Sequence, residues 1–312
     1  ILVTGGTGSF GHAFANYALK KLQIKKLIIF SRDEMKQWQM AKLFKSDSRI
    51  RFFIGDVRDK ERLNRAFSGV DYVIHAAATK IVPTAEYNPF ECVKTNVIGA
   101  MNVVDASLDQ DIKKIIALST DKASSPINIY GATKLTSDKI FIAANSYSGN
   151  KKTRFSIVRY GNVMGSRGSV IPYFLSQKDN KTLPITDRRM TRFMITLDEA
   201  ISLVSYVFSD MVGGEIYVKK IPSMKVVDIA LAINSKANQE IIGIRNSEKI
   251  HEQMIGIEDA MYTYEYKDYY KILPSIYNWN KDNLRINKGK LVEKNFSYTS
   301  DNNKNWMSIK TL

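Results

Sequence analysis

A tyrosine and a lysine four residues apart, Tyr130 and Lys134, form the pair in this sequence that most directly suggests chemistry. On a helix, this spacing puts both side chains on one face. A nearby ammonium group lowers the pKa of a phenol, so Tyr130 could act as a base near neutral pH. Tyr-x-x-x-Lys pairs are common, however, and this pair alone does not establish an active site.

A second group of reactive side chains, Thr120-Asp121-Lys122, follows the apolar segment 115–118. The hydroxyl of Thr120 could donate to the substrate oxygen that Tyr130 deprotonates. Asp121 and Lys122 place a carboxylate next to an ammonium at the end of a predicted strand, where open α/β sheets bind ligands. The structural alternative is that Asp121 caps the following turn and that Lys122 is a solvated charge.

A glycine-rich turn, Thr4–Gly11, follows the first apolar segment. Gly5 or Gly6 would permit a tight turn. Gly8 would let a pyrophosphate approach the backbone, and Gly11 would let the following helix pack on the strand. The unpaired N–H groups at the start of that helix would face the phosphates. The predicted contacts of this dinucleotide site are Gly5, Thr7, Gly8, Ser9, Phe10 and Gly11.

The end of the second predicted strand indicates which dinucleotide binds. An acidic residue there would hold a ribose 2′-hydroxyl, whereas an arginine accommodates a 2′-phosphate. The chain has Ser31 and Arg32 first and Asp33 only afterwards, so NADP is the predicted cofactor. Ser31 and Glu34 also fit a capping box for the next helix.

Further cofactor contacts are expected after the third and fourth predicted strands. Asp56 and Val57 follow the third strand, and the carboxylate could accept a hydrogen bond from the adenine amino group or cap the next helix. The small residues Ala76, Ala77 and Ala78 follow the fourth strand and would let the backbone lie against the cofactor. Tyr130 and Lys134 are expected to contact the cofactor as well.

Apolar segments alternate with amphipathic ones over the first half of the chain. Strands are predicted at Ile1–Thr4, Leu27–Phe30, Arg51–Ile54, Tyr72–His75, Ile115–Leu118 and Phe155–Arg159. Helices are predicted at Ala13–Lys21, Asp33–Phe44, Lys60–Phe67, Pro89–Leu108 and Asn128–Asn145. This alternation predicts an α/β fold built on a Rossmann doubly wound parallel sheet. His75 is expected to be a packed strand-end residue and not a catalyst.

The pattern loosens after residue 160, which predicts a smaller, interleaved substrate lobe in the C-terminal part. Residues 1–160 are assigned to an NADP-binding Rossmann domain, to which 191–215 returns. Residues 161–190 and 216–270 are assigned to the substrate-binding lobe, and 271–312 to a C-terminal tail. Beyond Tyr262 the chain shows little periodicity, so this part is expected to wrap the surface or to be partly disordered.

The composition limits the class of protein. The formal net charge is +15, but the positive residues are scattered, so no nucleic-acid partner is expected. The single cysteine, Cys92, excludes an internal disulfide and fits a reducing cytoplasm. No run of 18 or more apolar residues occurs, so no membrane segment is expected in this chain. No metal site is predicted.

Together these motifs resemble the extended short-chain dehydrogenase/reductase family, and within it the soluble UDP-N-acetylglucosamine 4,6-dehydratases of the pseudaminic acid type, which invert carbon 5. The resemblance spans nearly the whole chain. It rests on the segments Thr4–Gly11, Phe30–Glu34, Gly55–Asp59, His75–Ala78, Leu118–Lys122, Tyr130–Lys134, Arg159–Val163, Pro184–Asp187, Met190–Phe193 and Ile242–Arg245. Thr79 and Ile81, which flank Lys80, depart from a family pattern of methionine and histidine.

The resemblance implies a three-step reaction. The 4-hydroxyl of the sugar is oxidised with Tyr130 as base, water leaves from carbons 5 and 6, and the hydride returns to carbon 6. Asp121 and Lys122 share the acid and base roles of the elimination, and which residue takes which role is open. The resemblance also implies a homo-oligomer that pairs through the helices at 89–108 and 128–145.

The substrate contacts that the resemblance implies are Lys80, Asn162, Arg192, Arg245 and Glu248. Asn162 matches an amide near the sugar diphosphate. A guanidinium forks onto phosphate oxygens, so Arg192 and Arg245 are candidates for the pyrophosphate, with surface ion pairs as the alternative. Glu248 could accept hydrogen bonds from the uridine ribose.

Two other hypotheses fit parts of the sequence. A nucleotide-sugar epimerase of the same fold would use the glycine turn and Tyr130, but a 4-epimerase would not need Asp121 and Lys122. A non-catalytic Rossmann protein that senses NADP or binds RNA would explain the positive charge. Such proteins commonly lose the tyrosine or the lysine, whereas Tyr130 and Lys134 are both present.

Overall fold

The computed structural model describes residues 1–44, 47–166 and 168–312. Its strands are β1 Leu2–Thr4, β2 Leu27–Ser31, β3 Ile50–Ile54, β4 Tyr72–His75, β5 Lys114–Thr120, β6 Arg154–Tyr160, β7 Asn162–Val163, β8 Thr182–Ile185, β9 Thr191–Ile195, β10 Ile216–Lys219, β11 Ser223–Lys225, β12 Asn238–Ile241, β13 Gln253–Ile255, β14 Thr263–Glu265, β15 Tyr269–Ile272, β16 Lys290–Leu291 and β17 Tyr298–Thr299. Its α-helices are α1 Ser9–Lys21, α2 Glu34–Leu43, α3 Lys60–Phe67, α4 Val82–Tyr87, α5 Pro89–Val93, α6 Gly99–Asp109, α7 Ile129–Tyr147, α8 Val170–Leu175, α9 Leu197–Asp210, α10 Val226–Ile233 and α11 Asn283–Ile286. The other helical turns are π-helical at Lys94–Ile98 and 3-10 at Asp121–Ala123, Ile257–Tyr262 and Ile276–Lys281.

A ten-stranded sheet forms the centre of the described chain, in the order β16-β14-β15-β10-β6-β5-β4-β1-β2-β3. Every neighbouring pair from β3 to β10 is parallel. The order β3-β2-β1-β4-β5-β6 is that of a doubly wound Rossmann sheet. Helix α1 packs against α9, while α6 packs against α3 and α7. The predicted fold class is therefore confirmed.

The buried faces of the first elements explain why this sheet forms. Leu2 on β1 is fully buried, as expected for a parallel strand covered on both faces. Helix α1 buries Gly11, Phe14, Ala15 and Ala18. These residues follow the i, i+3, i+4, i+7 spacing of an amphipathic helix, so one face of α1 packs on the core and the other meets solvent.

The helix predicted over residues 89–108 is interrupted, because the π-helical turn Lys94–Ile98 separates α5 from α6. At this turn the side chain of Asn96 is buried. Its Nδ2 atom donates to the carbonyl of Thr79 at 3.0 Å and to Thr133 Oγ1 at 3.0 Å, and its Oδ1 atom accepts from the Thr79 N–H at 2.8 Å. The turn therefore fixes the segment that carries Lys80.

The chain beyond Tyr262 contributes strands to the central sheet. Strand β15 is antiparallel to β10, and β14 pairs with β15. Lys271 on β15 is 1% exposed, and its ammonium lies 2.6 Å from a carboxylate oxygen of Asp210. The expectation of a surface-wrapping or partly disordered chain is therefore wrong for these strands. Their sequence does not reveal them because three- and four-residue strands rich in Tyr and Lys contain no apolar run.

Smaller sheets lie outside the central one, in the orders β11-β9-β7, β12-β8 and β13-β17. A second hydrophobic cluster is formed by Phe174, Leu183, Ile185, Met190, Met194, Met224, Val226, Ile229 and Ala230. Strands β10, β14 and the first half of β15 fall in the range 216–270, which the sequence assigned to the substrate lobe, yet they lie in the central sheet. The domain boundaries themselves stay a prediction.

None of the helices in the described residues is long and apolar enough to cross a membrane.

Candidate active site

The glycine-rich turn has the geometry that a dinucleotide needs. Gly5 has a φ of +64°, and a Cβ atom there would lie 2.8 Å from the backbone of Ala77. A Cβ atom on Gly11 would lie 2.0 Å from the carbonyl oxygen of Gly6, so only glycine lets α1 pack here. A Cβ atom on Gly8 would meet only the carbonyl of Gly5 among the described residues, at 3.3 Å. Gly5 therefore makes the tight turn, and the exposed Gly8 leaves room for a pyrophosphate.

Hydrogen bonds hold the neighbouring strand ends beside this turn. Thr7 Oγ1 lies 2.8 Å from Ser31 Oγ. Thr4 Oγ1 accepts from the backbone N–H groups of Ala76 at 3.2 Å and Ala77 at 3.3 Å. The other predicted cofactor contacts at this edge are Ser9 and Phe10 at the start of α1, Val57 after β3 and Ala78 after β4. The structure thus brings the predicted cofactor residues to one edge of the sheet.

Two arginines flank the carboxylate of Asp56 at this edge. Arg58 Nη2 lies 2.8 Å from Asp56 Oδ2, and Arg32 Nη1 lies 3.7 Å from the same oxygen. Burial raises the pKa of Asp56, but the hydrogen bonds and charge of Arg58 and the charge of Arg32 outweigh it and lower the pKa. The side chain of Arg32 is 67% exposed and can reach a ligand at the end of β2.

The acidic residue after β2 has a structural role. Asp33 accepts a hydrogen bond from the backbone N–H of Lys36 at 2.9 Å and pairs with its ammonium at 2.9 Å, so it caps α2. The predicted capping box of Ser31 and Glu34 is therefore wrong. The Ser31 hydroxyl is bonded to Thr7 instead, and Asp33, two residues later, directly precedes the helix.

The helix that carries Tyr130 lies very close to the turn that carries Lys122. Asn128 caps this helix, α7, by accepting from the Gly131 N–H at 2.8 Å. A Cβ atom on Gly131 would lie 2.2 Å from the carbonyl oxygen of Lys122. The glycine after Tyr130 therefore allows α7 to approach the 3-10 turn at Asp121–Ala123.

Tyr130 and Lys134 are both buried, but their environment differs from the predicted one. Burial raises the pKa of Tyr130 to about 12, and a side-chain hydrogen bond with Thr120 acts in the opposite direction. Lys134 Nζ donates to the carbonyl of Leu118 at 2.8 Å, and burial lowers its own pKa. The predicted lowering of the Tyr130 pKa by Lys134 is not found, because the ammonium is bonded to the backbone of β5 and burial of the phenol dominates.

Asp121 and Lys122 form a close, largely buried pair. Asp121 is 1% exposed, and its Oδ1 atom accepts from Thr120 Oγ1 at 2.9 Å and from Lys122 Nζ at 3.2 Å. Its Oδ2 atom is buried without a partner among the described residues. Thr120, and not Asp121, caps the 3-10 turn. The structural alternative of a capping Asp121 and a solvated Lys122 is therefore wrong.

The pKa values of both residues of this pair are raised, chiefly by burial for Asp121 and by neighbouring negative charges for Lys122. Burial raises the pKa of Asp121, the charge of Glu252 adds to this, and Lys122 opposes it. Burial lowers the pKa of Lys122, but the charges of Asp121 and Glu252 outweigh it and raise the pKa. The pair therefore combines a carboxylate that is ready to take up a proton with an ammonium that is kept charged.

Glu252 completes this cluster, and no motif in the sequence points to it. Its Oε1 atom lies 2.8 Å from Lys122 Nζ and 3.7 Å from Arg192 Nε. Glu252 is 1% exposed and immediately precedes β13. Its position 130 residues after Lys122 leaves no local spacing that could have revealed the contact.

The predicted substrate residues divide into two groups. Arg192 is buried on β9, donates to the carbonyls of Thr191 and Ile250, and contacts Glu248 Oε1 at 3.1 Å. Asn162 on β7 pairs with Met194 on β9, close to Arg192. Arg245 and Lys80 are exposed. The structure thus brings Arg192 and Glu248 together at the cluster, while the contacts of all five residues with substrate stay a prediction.

Two hydrogen bonds connect the segment that contains Arg245 and Glu248 to the elements that carry Tyr130 and Lys122. Asn128 Nδ2 donates to the carbonyl of Ser247 at 3.0 Å. Lys249 Nζ donates to the carbonyl of Ser124 at 2.7 Å. The segment 245–249 is therefore held against both the start of α7 and the turn after β5. In the part of the chain that the structure describes, no three His, Cys, Asp or Glu side chains come together as a metal site.

Comparisons of the sequence identify its relatives. A model of the family described as polysaccharide biosynthesis protein matches residues 1–274. A UDP-N-acetylglucosamine 4,6-dehydratase (inverting) of Campylobacter jejuni is 56% identical over 319 residues, covering 100% of this chain and 95% of the relative. A UDP-glucose 4-epimerase of Rickettsia bellii is 42% identical, covering 97% of this chain and 91% of the relative.

Solved structures show the same architecture. Pen from Bacillus thuringiensis has a TM-score of 0.90 at 35% identity and covers 99% of this chain and 94% of its own. DesIV from Streptomyces venezuelae, a dTDP-glucose 4,6-dehydratase determined with NAD bound, has a TM-score of 0.71 at 24% identity, covering 80% and 86%. The similarity to DesIV shows only a shared fold. The family match and the Campylobacter jejuni relative confirm the family resemblance that the motifs indicate.

Proposed function

Since this chain belongs to the family of polysaccharide biosynthesis proteins, we propose that it is a UDP-N-acetylglucosamine 4,6-dehydratase that inverts carbon 5. The observation that carries the proposal is the buried pair of Asp121 and Lys122, 3.2 Å apart, next to the helix of Tyr130. A 4-epimerase moves only a hydride and a hydroxyl proton, so it has no use for a second acid and base. The pair therefore favours the dehydratase over the epimerase.

The cofactor is a nicotinamide dinucleotide, and the positive φ of Gly5 and the open backbone at Gly8 fit its pyrophosphate. When bound, it accepts the hydride from carbon 4 of the sugar and returns it to carbon 6. NADP is favoured over NAD because Arg32 is exposed at the end of β2, while Asp33 is occupied with capping α2. The NAD in DesIV belongs to a distant relative that shares the fold only.

Five side chains are proposed to serve the proton transfers of the reaction. Tyr130 accepts the proton of the 4-hydroxyl as a phenolate, a form that burial opposes and the charge of Lys122 favours, and Thr120 is expected to donate to the same substrate oxygen. The ammonium of Lys134 donates a hydrogen bond to the Leu118 carbonyl on β5, and this bond holds the side chain next to the site. The ketone formed at carbon 4 acidifies the hydrogen on carbon 5. Asp121 and Lys122 then remove the proton from carbon 5 and protonate the leaving 6-hydroxyl, so water is released and a proton later returns to carbon 5.

The nucleotide half of the substrate is expected to bind along the segment 242–250 and β9. Arg192 and Arg245 provide positive charge for the diphosphate, Glu248 provides an acceptor for the ribose, and Asn162 provides an amide. Arg192 already pairs with Glu248. Binding of a diphosphate would therefore exchange one anionic partner of Arg192 for another, which releases Glu248 towards the ribose.

The protein is further proposed to act as a cytoplasmic homo-oligomer. Tyr87 is 88% exposed and Phe90 is 80% exposed, and Val93, Ile98 and Met101 are also exposed on the same run of helices. Large apolar side chains grouped on one surface are typical of a protein–protein interface. This surface includes the first of the two helices that the family resemblance implies for self-association.

Proton NMR of the product formed from UDP-N-acetylglucosamine in heavy water tests the proposed function. We expect a 6-deoxy-4-keto sugar with solvent deuterium on carbon 5 and none from solvent on carbon 6, and the L-arabino product is expected first. A product that retains its 6-hydroxyl would contradict the dehydratase. A deuterated D-xylo product that precedes any later epimerisation would contradict only the inversion.

A further inference from the structure

Glu252 is a buried acidic residue that the proposed chemistry does not yet use. One carboxylate oxygen, Oε1, contacts Lys122 at 2.8 Å, which is shorter than the 3.2 Å between Lys122 and Asp121. The other oxygen, Oε2, is buried without a partner among the described residues. Burying a charged carboxylate destabilises the folded protein unless a cation lies beside it. The ion pair with Lys122 therefore explains how Glu252 can be charged at this buried position.

The backbone of Glu252 is fixed by the C-terminal part of the chain. Its N–H donates to Ser300 Oγ at 2.9 Å, and its carbonyl accepts from the Ser300 N–H at 2.8 Å. Ser300 Oγ also lies 2.6 Å from Thr191 Oγ1, next to Arg192. These backbone hydrogen bonds hold the Glu252 carboxylate in place beside Lys122.

Lys122 thus has a carboxylate on each side. Its own turn supplies Asp121, and the segment before β13 supplies Glu252. The other charged and titratable groups that face the pair are Arg192 from β9, Lys249 from the segment after β12, and Tyr130 from α7. Glu248 acts on the far side of Arg192, at 3.1 Å.

We propose that Glu252 is a positioning residue for the elimination step, which holds the ammonium of Lys122 beside Asp121. This inference rests on the proposed dehydratase function and deepens it. Glu252 forms no hydrogen bond or ion pair with Tyr130 or Lys134 in the described structure and acts on the phenol only through Lys122 and Asp121, so its removal should affect the elimination more than the oxidation at carbon 4. The two chemical steps are therefore separable by a change at this one residue.

The charge of Glu252 should shift the pKa values of Lys122 and Asp121 in the same direction. A negative charge a few ångströms away raises the pKa of an ammonium and of a carboxyl group alike. Removal of that charge lowers the pKa of Lys122 and the pKa of Asp121. Both limbs of the pH–rate profile for elimination should then move to lower pH, whichever of the two residues acts as acid.

The experiment compares Glu252→Gln with Glu258→Gln. The first change removes one negative charge and keeps the side-chain size, and the second removes the same charge at an exposed position of the next 3-10 turn. In Glu252→Gln, addition of UDP-N-acetylglucosamine should still produce bound reduced cofactor, seen as absorbance near about 340 nm. Elimination should slow by at least about tenfold, and its pH profile should shift down by about one unit or more. Glu258→Gln should match the native enzyme.

Glu252→Asp is the conservative variant. It keeps the charge but shortens the side chain, so we expect a reduced rate and a pH profile that shifts downwards by less than in Glu252→Gln. If Glu252→Gln fails to fold, the Asp variant still decides, since a longer distance to Lys122 should shift the profile downwards by a smaller amount. A folded Glu252 variant with an unshifted profile and a native elimination rate would overturn the inference.

Two further results distinguish a failure of the role proposed for Glu252 from a failure of the proposed function. A Glu252→Gln enzyme whose rate falls without any shift of the pH profile would assign Glu252 a purely structural role and would also overturn the inference. A native enzyme whose product keeps its 6-hydroxyl would overturn the proposed function itself. The second result is obtained from the native protein alone, so the two failures are distinguishable.

Discussion

A Cβ atom on Gly131 would lie only 2.2 Å from the carbonyl oxygen of Lys122, so these two residues define how closely α7 approaches the 3-10 turn at Asp121–Ala123. Gly131 follows Tyr130 directly, and Lys122 belongs to the proposed acid–base pair. The distance between the proposed oxidising and eliminating groups is therefore set by the absence of a side chain at residue 131.

Gly131→Ala should be strongly disruptive for that reason. The added methyl group meets backbone, which cannot rotate away, and we expect a loss of about 1–3 kcal/mol in the free energy of unfolding. Urea denaturation measures the change. Ala132→Ser, which also adds one heavy atom but at an exposed position of the same helix, should stay within about 0.5 kcal/mol. Equal stability of the two variants would show that the contact is not tight.

Arg32→Ala should narrow the preference for NADP. We expect the native protein to bind NADP at least about tenfold tighter than NAD, or about 1.4 kcal/mol, because the guanidinium pairs with the 2′-phosphate. Calorimetric titration of both dinucleotides measures the gap. Arg51→Ala removes a positive charge from an exposed residue of β3 and should leave the gap unchanged. Equal affinities of the native protein for the two cofactors would refute the NADP assignment.

Tyr130→Phe and Lys122→Ala should stop the reaction at different steps. Without the phenol, no group accepts the 4-hydroxyl proton, so Tyr130→Phe should bind cofactor but form no reduced cofactor. With Tyr130 intact, Lys122→Ala should oxidise the sugar and then stall, and reduced cofactor should accumulate on the protein. Stopped-flow absorbance near about 340 nm separates the two outcomes. More than about a tenth of native turnover in Tyr130→Phe would exclude it as the base.

His75 should make the stability of the protein depend on pH. Burial, aided by the charge of Lys134, lowers the pKa of His75 from 6.5 to about 3. Between these pH values the unfolded chain binds the extra proton and the folded protein does not, so stability falls as the pH falls, by at most about 1.4 kcal/mol per pH unit. Denaturant unfolding at several pH values should show a shallower fall for His75→Asn. Identical slopes would mean that His75 can be protonated in the folded protein.

Phe90→Asp should weaken self-association. The Phe90 side chain is 80% exposed and follows the exposed Tyr87. A charge there should hardly change the stability of the single chain, but its burial in an apolar interface would strongly oppose association. Sedimentation velocity should show a smaller species for this variant than for the native protein, with unchanged circular dichroism. Leu284→Asp, a change at another exposed apolar residue, serves as the control. A native protein that sediments as a monomer would disprove the proposed assembly.

The fold and the placement of the candidate site residues are encoded locally, while the roles of those residues stay predictions. The glycine turn, the strand-end Thr120–Lys122 and the pair of Tyr130 and Lys134 each lie within a few residues, and the structure brings them to one edge of the sheet. Glu252 could not be found in this way, because its link to Lys122 depends on the return of the chain after β12. The same reason hides the bond between Asn128 and Ser247.

Local sequence patterns also gave wrong predictions where a distant part of the chain determines the environment of a side chain. Ser31 and Glu34 fit a capping box, but the Ser31 hydroxyl is bonded to Thr7 across the sheet and Asp33 caps α2. Likewise, the spacing of Tyr130 and Lys134 indicates a direct charge effect on the phenol. Burial of that phenol, which only the folded chain determines, outweighs the effect.

The late position of β15 in the sequence has a consequence for biosynthesis. On the ribosome, β10 is made well before the strand that covers its free edge in the finished sheet. Until residues 269–272 emerge, the backbone N–H and C=O groups of β10 can pair with another nascent chain. Rapid translation on crowded polysomes should therefore favour aggregation of this protein, and chaperones that shield open strand edges should raise its yield.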